Sequence, residues 1–361
     1  MLTNENSFGR KGLRFHHMRL AALDLGSNSF HALIADVDRA GRLVVVDRAK
    51  RMPRIGEGIF RTGSISSAAR KSAFRALAEL LPVIERHRPY AVHAVATAAV
   101  RDATNGNAFV AGVRSRFGLN VRVISGDEEA RLSYAGARAQ LGAELGRATL
   151  FDLGGGSLEA IVGDGRQILH TATAPLGVLR AVVERPLSDP PAPRELRGLE
   201  QWAHDAAARF IASLGDIDLG RIILCAGTAR AVRSVGCALG YIPTVGTGAD
   251  LVGRDTLRYM IDRLAALPLA ARRDTPGLEP QRADLIVHGI AMLDAILAGV
   301  GVEQARVCRA ALREGLILER SRAMRTPARR RARRRARVTP SGTRPPSRTA
   351  TSRAVPAAYA P

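Results

Sequence analysis

One segment of this chain occurs twice. Residues 22–36 align without a gap onto residues 150–164, an offset of 128. Asp24 falls on Asp152, Leu25 on Leu153, Gly26 on Gly154, Ser29 on Ser157, Ala32 on Ala160 and Asp36 on Asp164. A repeat of this kind dictates architecture before any local pattern does. It predicts two similar domains, each opening on a strand, a tight loop and a second strand. The 361 residues suffice for two such cores.

The second copy is the more informative. A short apolar run leads into Asp152, three glycines follow, and Ser157 begins a second apolar run that carries Glu159. This reads as a β-hairpin with a glycine tip between two carboxylates. Glycines expose backbone N–H groups to a phosphate without a Cβ in the way, and they tolerate positive φ. Carboxylates are suited to hold a hard cation such as Mg2+ against that phosphate. A tight hairpin alone also explains three glycines; the first copy is what favours phosphate. Ser27, Asn28 and Ser29 on one side, with Gly154, Gly155, Gly156 and Ser157 on the other, would grip a phosphate chain. Asp24, Asp152 and Glu159 are the candidate metal ligands, and Mn2+ is as acceptable to oxygen donors as Mg2+.

Along the chain, residues 20–25, 29–37 and 42–48 read as strands. Residues 66–87 carry Phe74, Leu77, Ala78, Leu81 and Ile84 at helical spacing, with Ser66 or Ser67 as cap and a kink or break expected at Pro82. Residues 91–96 read as a buried strand, with Thr97-Ala-Ala-Val-Arg101 at its carboxyl end. Ligands of open α/β sheets collect at that end of the strands, which makes Arg101 a candidate phosphate ligand. After a strand at 121–124, Ser125-Gly-Asp-Glu-Glu-Ala-Arg131 opens a helix reaching about Gln140. The helix dipole accounts for two of its three acids. Further strands are expected at 166–174 and 221–225, and helices near 194–214, 254–266, 281–299 and 309–320. The apolar stretch 283–302 contains Asp284, His288 and Asp294, so it reads as a core helix rather than a membrane span.

Several of these motifs occur in order: Asp24-Leu-Gly-Ser-Asn-Ser29, Ala96-Thr-Ala-Ala-Val-Arg-Asp-Ala-Thr-Asn105, Ile124-Ser-Gly-Asp-Glu-Glu-Ala-Arg131, Asp152-Leu-Gly-Gly-Gly-Ser-Leu-Glu159, Pro175-Leu-Gly-Val178 and Gly227-Thr-Ala-Arg230. The paired Asp-Leu-Gly loops resemble those of the actin-like, sugar-kinase and heat-shock ATPase superfamily. The finer pattern is similar to the exopolyphosphatase and guanosine pentaphosphate phosphatase (Ppx/GppA) family, over residues 18–320. The resemblance implies an α/β fold of two ribonuclease-H-like domains around a cleft. It assigns Glu129 as the catalytic base, with Glu128 the alternative if the alignment slips by one. It further implies metal-assisted release of orthophosphate from inorganic polyphosphate, a phosphoanhydride hydrolase activity. Guanosine pentaphosphate hydrolysis, an ATP-using kinase or ATPase, and a non-catalytic polyphosphate or nucleotide sensor stay open as alternatives. Two side chains are ambiguous: Arg54, in a segment similar to a family loop, either reaches phosphate or is solvated. The Gly227 turn, which contacts adenosine in ATP-using relatives, either lines the cleft or caps a helix.

The expected organisation is an N-terminal extension at 1–17, domain I at 18–127 with 308–320 packing back on it, domain II at 128–307 and a disordered tail at 321–361. Family chains start near Met18, and longer members carry a helical HD-type domain after the second lobe. That suggests the short, two-domain phosphatase form. Net charge is +21, and the tail holds twelve arginines without an acid. Such a segment buries too little apolar surface to fold alone and is a candidate binder of polyanions, nucleic acid included. Aromatic residues at 4% argue against base stacking as the main binding mode. Cys225, Cys237 and Cys308 show no metal spacing and fit a reducing compartment. With no signal-peptide pattern, a cytoplasmic protein without membrane partners is expected, and a homodimer is compatible with the family.

Overall fold

The computed structural model describes residues 17–336 except Thr247, with side chains described to Arg325. Residues 1–16 of the expected N-terminal extension (1–17) and the tail beyond Ala336 lie outside the described residues.

The first lobe contains β1 (Met18–Leu25), β2 (Phe30–Val37), β3 (Leu43–Arg51), α1 (Gly56–Thr62), α2 (Ser67–Arg86), β4 (Ala91–Ala96), α3 (Ala98–Asp102), α4 (Gly106–Phe117) and β5 (Val121–Val123). The second contains α5 (Gly126–Leu141), β6 (Ala148–Leu153), β7 (Leu158–Gly163), β8 (Ile168–Ala174), α6 (Val178–Glu184), α7 (Pro193–Ala212), β9 (Arg221–Cys225), α8 (Ala226–Ala238), β10 (Leu251–Gly253), α9 (Arg254–Ala265), α10 (Leu269–Arg273), α11 (Ile286–Val300) and β11 (Gln304–Val307). Helix α12 (Leu312–Ala336) closes the described chain.

The two sheets share one plan. The first has the order β3-β2-β1-β4-β5 and the second β8-β7-β6-β9-β11, with β10 added at the edge. In each, three antiparallel strands are followed by two parallel ones. Register is conserved between the copies: Asp24 lies opposite His31, and Asp152 opposite Glu159. The 128-residue repeat is therefore a structural duplication, the ribonuclease-H-like pattern. Parallel strands need covering helices. In the first lobe Leu77, Leu80 and Ile84 of α2 and Phe109 and Val113 of α4 pack on the apolar face of β1 and β2. In the second, the almost wholly buried α11 lies among residues of α7, α8 and α9.

Local signals explain the ends of the elements. Ser66 caps α2 by accepting from Ala69 N at 3.1 Å, and Ser125 caps α5 by accepting from Glu128 N at 3.1 Å. Pro82 does not break α2, which continues to Arg86; only the last turn follows the proline, so little is lost. Helix α11 is a core helix as expected: Asp294 is buried against Arg254 at 3.0 Å, and His288 bonds the Arg185 carbonyl at 2.7 Å. Among the described residues no helix is long and apolar enough to cross a membrane.

One expectation is revised and one is extended. The tail was expected to be disordered from residue 321, yet the backbone is helical to Ala336. Alanine and arginine are both strong helix formers, so a segment too polar for a core can still be helical. The segment 308–320 touches both lobes: Glu314 pairs with Arg48 of β3 at 3.0 Å, while Gly315 sits against the Leu132 carbonyl of α5.

Candidate active site

Both hairpin loops close in the same way. Gly26 N donates to Ser29 O at 3.2 Å and Gly154 N to Ser157 O at 3.0 Å. The loops then meet. A Cβ on Gly155 would lie 3.1 Å from the Asn28 Cβ, and one on Gly156 would lie 2.6 Å from Ser27 Oγ and 2.9 Å from Ala98 Cβ. None of Gly154, Gly155 and Gly156 is among the positive-φ glycines. Here glycine supplies space rather than an unusual backbone angle. Each loop is also braced from behind by the segment entering the next helix, with Gly56 N on Ser27 O and Val178 N on Gly154 O, both at 2.9 Å.

Between the loops lies a cavity of about 120 Å³, lined by Ser27, Asn28, Ser29, Gly154, Gly155, Gly156 and Ser157 together with Asp24, Glu129 and Asp152. The cavity brings together residues from both copies of the repeat and from the first turn of α5. Glu159 is buried directly behind this wall, opposite Asp152 in the hairpin.

The carboxylates oppose one another's ionisation. Burial raises Asp24 to about 6, with Asp152 adding to the rise and Arg313 opposing it. Asp152 is raised by burial, although Ser133 donates to its Oδ2 at 2.7 Å. Burial, then Glu129 and Asp152, push Glu159 well above the ordinary range. One oxygen each of Asp24 and Glu159 is buried without a hydrogen-bond partner. Crowded carboxylates with open oxygens fit a hard cation, whose charge would reverse these shifts. Among the described residues no three such side chains converge as a ready cage. The donor set therefore fits Mg2+ or Mn2+ held by one or two carboxylates, with water and substrate oxygens completing the shell.

Glu129 and Glu128, adjacent in sequence, have opposite surroundings. Glu129 faces the cavity with Arg101 Nη1 at 3.2 Å, and its pKa is raised to about 8 by burial, against the pull of Arg101. Glu128 turns outward to Arg122 at 2.7 Å, a hydrogen bond that lowers its pKa. Arg101 also donates to the Ile124 carbonyl at 2.9 Å. Instead of forming part of the cavity wall, Arg101 stands behind Glu129.

Sequence reasoning missed most of a basic cluster. Arg230, Arg282 and Arg313 line the same cavity, beside His31. Burial lowers Arg230 to about 10, with repulsion from Arg313 and Arg282 adding to the shift, and its guanidinium donates to the Arg309 carbonyl at 3.4 Å. Lys50 is lowered to about 8 by burial and then by Arg282. His31 is held well below its ordinary value by burial and by Arg313, and its Nε2 lies 2.8 Å from Ser29 Oγ. Arg313 carried a usable signal, since it follows the carboxyl end of β11 much as Arg101 follows that of β4. Nothing in the sequence spacing marks Arg282.

Arg54 and the Gly227 turn now have definite surroundings. Arg54 is neither solvated nor in the cavity, but pairs with Glu57 at 2.6 Å and Asp284 at 2.7 Å. The Gly227 turn does line the cavity, and the guanidinium of Arg282 lies directly against it.

Two duplicated lobes with facing hairpin loops around buried acids define an enzyme of the actin-like ATPase fold class. The family model for the Ppx/GppA phosphatase family matches residues 33–323, and the chain belongs to that family. It is 30% identical over 305 residues to exopolyphosphatase 1 of Mycobacterium tuberculosis, covering 83% of this chain and 88% of that one. Its fold matches an exopolyphosphatase from Cytophaga hutchinsonii with a TM-score of 0.75 at 23% identity, over 83% of this chain and 96% of that one. An Aquifex aeolicus member of the Ppx/GppA family gives 0.68 at 24% identity, over 85% and 99%.

Proposed function

We propose that this protein is an exopolyphosphatase, which removes orthophosphate from the end of inorganic polyphosphate. One observation carries the reading: a single cavity unites buried carboxylates with the arginines Arg230, Arg282 and Arg313. Arg282 is paired with Glu279 at 3.0 Å, whereas among the described residues no carboxylate pairs with Arg230 or Arg313. Buried guanidinium groups of that kind are costly until an anion arrives, and a phosphate chain supplies closely spaced charges that match them.

In this mechanism the loops at Ser27–Ser29 and Gly154–Ser157 bind the terminal phosphates, and Arg101, from behind, holds the Glu129 carboxylate in position. Glu129 accepts a proton from the attacking water, and the arginines neutralise the departing chain. Asp24, Asp152 and Glu159 would place Mg2+ or Mn2+, one or two of them directly and the others through water, and the ion when bound adds Lewis-acid stabilisation at the phosphoryl oxygens. The Arg282 guanidinium against Gly227 favours a bare phosphate chain over adenosine at that turn. A buried base beside the loops favours hydrolysis over sensing.

Phosphate release from polyphosphate, guanosine pentaphosphate and ATP, each with Mg2+, tests this. Polyphosphate is the expected substrate, and release from nucleotides alone would overturn the reading. Asp152→Asn and Glu159→Gln should each raise the Mg2+ concentration needed for half-maximal activity, since each removes a charged oxygen. An unchanged metal titration would demote both residues to hairpin structure.

A further inference from the structure

We propose that Arg180 is a positioning residue that clamps the second phosphate loop to the first lobe. The proposal rests on the reading of the cavity as a phosphate site and adds a residue to it. Arg180 lies on α6, remote in sequence from both loops, and three contacts fix its side chain. Nε donates to the Gly156 carbonyl at 3.2 Å, in the glycine loop itself. Nη2 donates to Asp102 Oδ2 at 2.9 Å, across the lobe boundary on α3. The guanidinium carbon lies 4.1 Å from the centre of the Phe60 ring, again in the first lobe. The backbone adds a fourth tie, Arg180 N to Gly155 O at 3.2 Å.

The partner helix explains why this matters for chemistry. On the single turn of α3, Ala99 N donates to Ser27 Oγ, Arg101 reaches Glu129, and Asp102 receives Arg180. One short helix thus ties the first loop, the base and the second loop together. A planar guanidinium can stack on an aromatic ring while its edge donates to carboxylate and carbonyl; lysine cannot do all three. Arg54 mirrors the arrangement from the other side: its N–H bonds the Asn28 carbonyl at 3.1 Å, and its guanidinium crosses to Asp284. Because Arg180 lies 16% exposed at its side chain and bridges two lobes, its loss should widen the gap between the loops more than it unfolds either lobe. A misplacement of ~1 Å can cost about 10²-fold in rate.

The test compares Arg180→Met, Arg180→Lys, Asp102→Asn and the Arg180→Met/Asp102→Asn pair, with sodium tripolyphosphate and Mg2+. Arg180→Met keeps an unbranched apolar side chain but removes the guanidinium from Gly156, Asp102 and Phe60, and should lower kcat/KM by about 10²-fold through both a higher KM and a lower kcat, with the thermal midpoint close to wild type. Arg180→Lys should recover part of the loss. Asp102→Asn should reproduce part of it, and the double variant should be no worse than Arg180→Met, since both remove one interaction. Hydrogen exchange of residues 154–157 without substrate should be faster in Arg180→Met. Unchanged exchange, additive losses, or activity falling only as far as the thermal midpoint falls would each overturn the clamp. Wild-type protein that releases phosphate from neither tripolyphosphate nor longer polyphosphate would instead overturn the exopolyphosphatase reading, while the exchange comparison would still decide the clamp.

Discussion

Glu129→Gln should lower turnover of polyphosphate by ~10²–10⁴-fold while leaving substrate binding in place, the usual cost of losing a positioned base. Glu128→Gln is the control. It should remain close to wild type, because Glu128 spends its charge on Arg122 outside the cavity. A dead Glu128→Gln beside an active Glu129→Gln would move the base by one residue. Activity in both would sink the proposed proton transfer.

The same residue predicts a pH signature of stability in metal-free protein. Folding raises Glu129 from the ordinary 4.5 to about 8, chiefly by burial. A raised folded-state value means that the folded protein holds the proton more tightly than the unfolded chain does. The contribution of Glu129 is therefore full below the ordinary carboxylate value, declines as pH rises through that window, and is gone above about 8. With chelator present, the melting temperature of wild type should fall relative to Glu129→Gln between those values and then run parallel. A constant difference would mean that Glu129 is already ionised in the folded protein.

The architecture was legible because duplication leaves a record that does not depend on local propensity. Asp24 and Asp152 align at one offset, and the same offset places His31 on Glu159. The conserved hairpin register follows directly. The division of labour between Glu128 and Glu129 was not legible from residue type, since both sit in the first turn of one helix. It comes from the direction each side chain takes around that turn. Arg282 escaped notice because it reaches the cavity from a segment more than fifty residues from the Gly227 turn it touches. Helices α1, α4 and α6 were missed for another reason: α1 and α6 have seven residues each and α4 twelve, and short segments give weak periodicity. Strands β10 and β11, of three and four residues, are shorter still. Residues 321–336 show the converse, where low apolar content was read as lack of structure although the residues favour helix.

Gly177→Ala should damage both stability and activity, although Gly177 carries no chemical group. Its α-carbon faces the backbone of the glycine loop so closely that an added Cβ would overlap the carbonyl of Gly155 and the amide nitrogen of Gly156. Neither is the end of a flexible side chain that could swing away. The loop itself must move, and it is held on its other side by Ser27, Asn28 and Ala98. Overpacking of this kind typically costs about 1–3 kcal/mol, and displacement of a phosphate loop by ~1 Å can remove about 10²-fold in rate. Gly198→Ala provides the contrast. That glycine lies within α7 with open space around it, so alanine there should stabilise by about 0.5–1 kcal/mol. Thermal melts and tripolyphosphate turnover of the two variants separate the explanations. If Gly177→Ala melts and turns over like wild type, the loop is free to shift, and the close seating of the two lobes is not what holds the site together.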